Sequence, residues 1–235
     1  MYIPQFPRVS TALLLSVVLI GCSGLSTSPS SPAPVVSASP TVLIVVPQTN
    51  GVGTNRAVAV VFSEPMDPAS INSGSFVVAG VSGTVTYDTT NRIGSFKPST
   101  SFAPNTTYNA SITTGARNIS GTPITAPFNF SFTTRATTDT SPPDLVAINV
   151  AAGATCVPLD QKIKVTFDEQ MDSLTINPST FFITGIAGTV VYDVVSQTAT
   201  LTPSASLAMN TVFTINVTVA AKDLGGVPLA APFQQ

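Results

Sequence analysis

Two carboxylate pairs are the side chains of this sequence best suited to acid and base chemistry: Glu64 with Asp67 in "VVFSEPMDPASIN", and Glu169 with Asp172 in "VTFDEQMDSLTIN". Glycoside hydrolysis needs two such groups facing each other across a bond, about 5 to 9.5 Å apart, inside a cleft. Here the partners follow one another at the end of a single apolar run, and the chain has no tryptophan on which a sugar could stack. Asp67 stands before "PASI", which puts proline at the first helical position after an aspartate cap; Asp172 before "SLTI" offers the same cap without the proline. Each pair is therefore expected to end a strand and cap a short helical turn, with Met66 and Met171 packed beneath. No catalytic residue is assigned, and the chain is expected not to be an enzyme.

Other chemistries are limited by what the chain contains. Calcium takes six to eight oxygen ligands. Asp139 and Asp144 in a polar linker could meet Asp168, Glu169 and Asp223 and hold a rigidifying ion, but no D-x-D-x-D-G cluster is present, so no metal ligand and no cofactor are assigned. The sequence has no histidine, which removes Ser-His-Asp and Cys-His catalysis and the zinc sites that mix histidine with other ligands. Nine basic and eleven acidic residues, scattered singly for a net charge of -2, give no patch that could neutralise a phosphate backbone. Nucleic acid is not expected as a partner.

The N-terminus reads as an export signal. Arg8 precedes the apolar run "ALLLSVVLI" (Ala12 to Ile20), about half of the ~20 residues a helix needs to cross a bilayer. It ends in "LIGC", Leu19 to Cys22, which resembles the lipobox of bacterial lipoproteins. That resemblance implies cleavage before Cys22 and lipidation of Cys22, hence membrane attachment through an N-terminal lipid. Ser23 follows, and not the aspartate of an inner-membrane retention signal, so the outer membrane or cell surface is the expected location. The other cysteine, Cys156, then has no intramolecular partner.

The chain divides by composition and by an internal repeat. Residues 1–21 are the signal; 22–40, "CSGLSTSPSSPAPVVSASP", form a Ser/Pro-rich tether with nothing to bury. Sliding the sequence by 105 positions, Phe62 onto Phe167, aligns 52–128 with 157–233 without a gap, and roughly a third of the pairs are identical. Gly83 falls on Gly188, Tyr87 on Tyr192 and Asn105 on Asn210. The two copies are domain 1 (41–135) and domain 2 (144–235), joined by a solvated linker (136–143) where a protease should release two compact units.

Each copy has a period of two. "RAVAVVF", "GTVTYD" and "YNASIT" in the first, with "KIKVTF", "GTVVYD" and "FTINVT" in the second, are short β-branched runs bounded by Gly, Pro, Asn or Ser. About seven such strands predict a Greek-key sandwich, with Tyr108 placed as a tyrosine corner and Phe213 in its stead in the second copy. The order of these motifs resembles the bacterial Ig-like domain of S-layer proteins, the SbsA type. The resemblance implies an all-β chain of two tandem Ig-like sandwiches that serve as spacer, structural or adhesion modules, with no catalytic residues. A protein or polysaccharide at the surface is the ligand class such loops would take. Repeat 2 departs from the pattern at Phe233, where repeat 1 runs on through "NFSFTT". Its last strand is expected to be missing, either because the sandwich has an open edge or because these domains are the N-terminal stalk of a longer surface protein with an adhesive, ice-binding or hydrolytic domain.

Overall fold

A computed structural model of the chain describes residues 39–47 and 51–235. The expected signal, Cys22 and all but the last two residues of the tether lie outside these. The β-branched runs become seven strands per repeat. In repeat 1 these are β1 (Val42–Val46), β2 (Val58–Phe62), β3 (Phe76–Val78), β4 (Gly83–Asp88), β5 (Ile93–Pro98), β6 (Thr107–Ile112) and β7 (Phe128–Thr133). In repeat 2 they are β8 (Leu145–Ile148), β9 (Ile163–Phe167), β10 (Phe181–Ile183), β11 (Gly188–Asp193), β12 (Thr198–Pro203), β13 (Ile215–Val217) and β14 (Phe233–Gln234).

All strand pairs are antiparallel, and each repeat is a four-stranded sheet facing a three-stranded one. The orders are β1-β2-β5-β4 with β3-β6-β7, and β8-β9-β12-β11 with β10-β13-β14. With strands lettered A to G, that is ABED over CFG, the arrangement of a constant-type immunoglobulin sandwich. Both copies keep the same irregularity in the first strand: the register shifts between Val42 and Ile44, and again between Leu145 and Ala147. Repeat 2 retains two residues of the strand expected to be missing, Gln234 pairing with Asn216 and Phe233 with Val217.

Alternation fills each core. Val58, Val60 and Phe62 of β2 point inward with Phe76, Phe96 and Ile112; Val165, Phe167, Phe181 and Leu201 do the same in repeat 2. Gly83 and Gly188 begin matching strands because a side chain there has no room. A Cβ would sit 2.6 Å from the Lys97 carbonyl in one copy and 2.8 Å from the Thr202 carbonyl in the other.

In β2 the alternation predicted for "RAVAVVF" breaks, because Ala59, on the outer face, is only 1% exposed. Val46, Ala57, Ala59 and Ile93 of repeat 1 belong to the buried cluster formed by the core of repeat 2. Part of the outer face of the β1-β2-β5-β4 sheet is thus covered by the second sandwich, while Thr84, Thr86 and Lys97 of the same sheet stay exposed.

Candidate functional site

The repeated strand-end motif folds the same way twice. Asp67 Oδ1 accepts the Ala69 N–H at 3.1 Å and caps a 3-10 turn, Pro68–Ser70; Asp172 Oδ1 accepts the Leu174 N–H at 3.2 Å and caps Ser173–Thr175. Met66 and Met171 are buried beneath these turns. Their own N–H groups donate to a tyrosine hydroxyl 21 positions on, Met66 to Tyr87 Oη at 2.8 Å and Met171 to Tyr192 Oη at 2.9 Å. These tyrosines were visible in the sequence only as repeated strand residues; what they bond depends on the sandwich bringing strand D to the end of strand B. Burial raises the Asp172 carboxyl, opposed by the Leu174 N–H, and raises both tyrosine hydroxyls, opposed by the methionine N–H groups.

Each glutamate takes a partner other than its aspartate. Glu64 Oε2 lies 3.4 Å from Asn118 Nδ2, whereas Glu169 Oε2 accepts from Arg56 Nη1 at 3.0 Å. Glu64 and Asp67, and likewise Glu169 and Asp172, are thus bound into separate local contacts.

The junction between the repeats is where charged side chains converge. Asn55, from the loop before β2, accepts the Asp139 N–H at 2.6 Å and donates to the Asp139 and Gly225 carbonyls; the Ala57 N–H donates to the Leu224 carbonyl at 2.8 Å. Arg56 Nη1 lies 2.9 Å from Asp139 Oδ2 and 3.0 Å from Glu169 Oε2, and Arg135 Nη2 reaches Asp139 Oδ1 at 3.0 Å. Asp139, Glu169 and Asp223 each bring a carboxylate oxygen within 4.8 Å of the others. Of the five acidic residues considered for an ion, the fold therefore unites three. Asp144 and Asp168 pair elsewhere, the Asp144 N–H donating to Asp168 Oδ1 at 2.8 Å.

Asp139 corrects the picture of a solvated linker, because it is 4% exposed and held from both sides. The composition of "RATTDTSPPD" says only that the segment has little to bury by itself. It does not say that Asn55 and Arg56 will seize its aspartate.

Crowding of like charges sets the electrostatics. Burial, reinforced by Asp223, Asp139 and Asp168, pushes the Glu169 carboxyl up to about 7 despite Arg56. Burial and Asp139 also raise Asp223, while the Val227 and Gly225 N–H groups and Arg56 pull it back.

Elsewhere, an apolar groove of about 570 Å³ opens at one end of repeat 2, lined by Val150, Leu159, Leu207, Met209, Val212 and Phe213. The matching region of repeat 1 is packed by Phe102, Tyr108 and Phe132, with ring centres 4.8 to 5.6 Å apart. Tyr108 Oη accepts the Ala103 N–H at 2.8 Å, closing the tyrosine corner that Phe213 cannot make. The loop residues Asn91, Arg92 and Arg117 are engaged structurally. Asn91 Oδ1 accepts the Tyr192 N–H across the junction, and the two arginines donate to the Ser63 and Gly121 carbonyls. Cys156 is exposed, with φ of 59° where Gly51 of repeat 1 has 89°, so both copies turn through the left-handed region.

A family model described as a bacterial Ig-like domain matches the chain twice, over residues 36–134 and 139–235. No curated protein matches the sequence. Among solved structures, the N-terminal part of the bacterial S-layer protein SbsC is similar at 12% identity and a TM-score of 0.32, over 74% of this chain and 43% of that one. An L,D-transpeptidase from Mycobacterium smegmatis is similar at 15% identity and 0.32, over 74% of this chain and 78% of that one. The longer S-layer fragment rSbsC(31-844) gives 14% and 0.33, over 77% and 23%. The chain spans less than half the length of these two S-layer structures. No helix among the described residues is long and apolar enough to cross a membrane.

Proposed function

The chain belongs to the bacterial Ig-like domain family, and from that premise we propose that it is a non-enzymatic lipoprotein of the cell surface. Lipid on Cys22, which follows the apolar run Ala12 to Ile20 after Gly21, attaches it to the membrane. Residues 22–40 hold the sandwiches away from the lipid, and the two Ig-like domains act as a spacer or present loops to a protein or polysaccharide at the surface. The observation that carries this reading is the use made of the repeated carboxylates. Asp67 and Asp172 cap turns, and Glu64 and Glu169 bond to Asn118 and Arg56, so the most chemically capable side chains of the chain serve its architecture. Function on such a scaffold lies in anchoring and display.

The intact mass of the protein extracted from membranes, beside its Cys22→Ser variant, tests the reading. A diacylated chain beginning at Cys22, with the variant released to the soluble fraction, supports it. An unmodified chain in both would overturn the anchor. A much heavier species would make the two sandwiches the stalk of a longer surface protein.

A further inference from the structure

The two repeats differ at one position in a way that alters what can bind there. In repeat 1, Asn118 Oδ1 accepts the Ser120 and Thr122 N–H groups, and its Nδ2 faces Glu64 Oε2. Asp223 aligns with Asn118, and its Oδ1 keeps the corresponding bond, accepting the Val227 N–H at 2.6 Å. Its Oδ2 therefore stands where repeat 1 has an amide donor. That atom is buried, in a residue only 1% exposed, and it accepts no hydrogen bond. A donor facing an acceptor in one copy has become two carboxylates facing each other in the other, with Asp139 added from the linker.

We propose that Asp139, Glu169 and Asp223 form a binding site for a divalent cation, calcium, at the junction of the two sandwiches. The orphaned Asp223 oxygen supplies the reason: an anionic acceptor without a donor, out of reach of water, is satisfied by a cation. Arg56 does not meet this need: its Nη1 and Nη2 bond to Asp139, Glu169 and the Gln170 carbonyl, and its Nε, buried as well, makes no hydrogen bond to Asp223. Three carboxylates face two arginines, and Arg135 is 41% exposed on the outer side of Asp139. Negative charge is left over at the buried side.

The donor set selects the ion. All three groups offer oxygen, and the chain contains no histidine, so a hard cation is favoured over zinc or copper. Calcium accepts irregular shells of carboxylates completed by carbonyls and water, whereas magnesium demands a near-octahedral shell that a linker and two loops do not prearrange. Asp139 belongs to the linker, and Glu169 and Asp223 to repeat 2. An ion there fixes the linker to the second sandwich just where Arg56 and Asn55 of the first already grip it. Calcium thus stiffens the hinge between the domains.

The test uses the full-length chain, stripped with chelator and titrated with calcium chloride at pH 8 while thermal unfolding is followed. The decisive variant is Asp223→Asn, which copies the side chain that repeat 1 carries in the same fold. At ten times the dissociation constant, calcium should raise the midpoint of the wild type by roughly 3 to 6 °C and leave the variant unmoved. Magnesium should do less at equal concentration, and sodium chloride of equal ionic strength nothing. A wild type indifferent to millimolar calcium, an equal response in the variant, or an equal response to sodium chloride would each overturn the proposal.

Discussion

Arg56 at the head of the first sandwich donates to Asp139 of the linker at 2.9 Å, and the same nitrogen donates to Glu169 of the second sandwich at 3.0 Å. One guanidinium therefore binds three consecutive parts of the chain. Removing it strands two carboxylates in partly buried surroundings. Arg56→Ala should cost about 3 kcal/mol, the scale on which breaking a buried pair destabilises. Urea denaturation checks this, and Arg135→Ala, removing an exposed partner of Asp139, should cost under about 1 kcal/mol.

The linker should behave as a clamped segment. Thr140, Ser141 and Pro142 are exposed, so a protease can cut there, but Asp139 beside them is held by Asn55 and Arg56. A chain nicked at these residues should still elute as one particle on size exclusion, and the halves of an Arg56→Ala chain should part more readily. This differs from the release of two free units expected from composition alone.

The tyrosine latches should matter unequally. Tyr192→Phe leaves the Met171 N–H without an acceptor inside the second sandwich and should cost about 1–3 kcal/mol. Tyr108→Phe, which only makes repeat 1 resemble repeat 2 at Phe213, should cost about 1 kcal/mol or less. Chemical denaturation of the two variants gives the comparison.

Close approach at the start of β4 and β11 predicts a steric cost. Gly83→Ala and Gly188→Ala each place a Cβ under 3 Å from a neighbouring carbonyl oxygen. Each should lose about 1–3 kcal/mol, read as a fall in thermal midpoint.

Stability without metal should fall as the solution becomes alkaline. The Glu169 carboxyl stands at about 7 in the folded chain, against about 4.5 when unfolded. Between those values the folded state holds the extra proton, so the contribution is fully present below pH 4.5 and is lost as pH rises through 7. In chelator, the wild type should lose on the order of 1–2 kcal/mol from pH 5 to pH 8, allowing for solvent screening. Glu169→Gln should flatten that slope.

Local order was readable from the sequence where the physics is local. The aspartate caps, the buried methionines and the strand period follow from the side chains of one segment. The junction was hidden because its residues lie far apart in the chain. Arg56, Asp139, Glu169 and Asp223 become neighbours only after both sandwiches form and dock. One signal was nonetheless available: Ala57, just before β2, and Ala59 within it align with Lys162, just before β9, and Lys164 within it. Small apolar residues on an outer strand face mark a covered surface, and the exposed lysines in the second copy mark an open one. Asn118 against Asp223 was a second such contrast, whose meaning required the Glu64 and Glu169 neighbours.

The two repeats form one structural unit joined at Arg56 and the shared apolar face. Scanning calorimetry of the wild type beside Ala59→Lys tests it most directly, because that substitution places a β9-type lysine on the covered face of β2. The wild type should unfold in a single cooperative transition, which the variant splits into two. Two independent transitions in the wild type, or a variant indistinguishable from it, would mean that the repeats are not one unit.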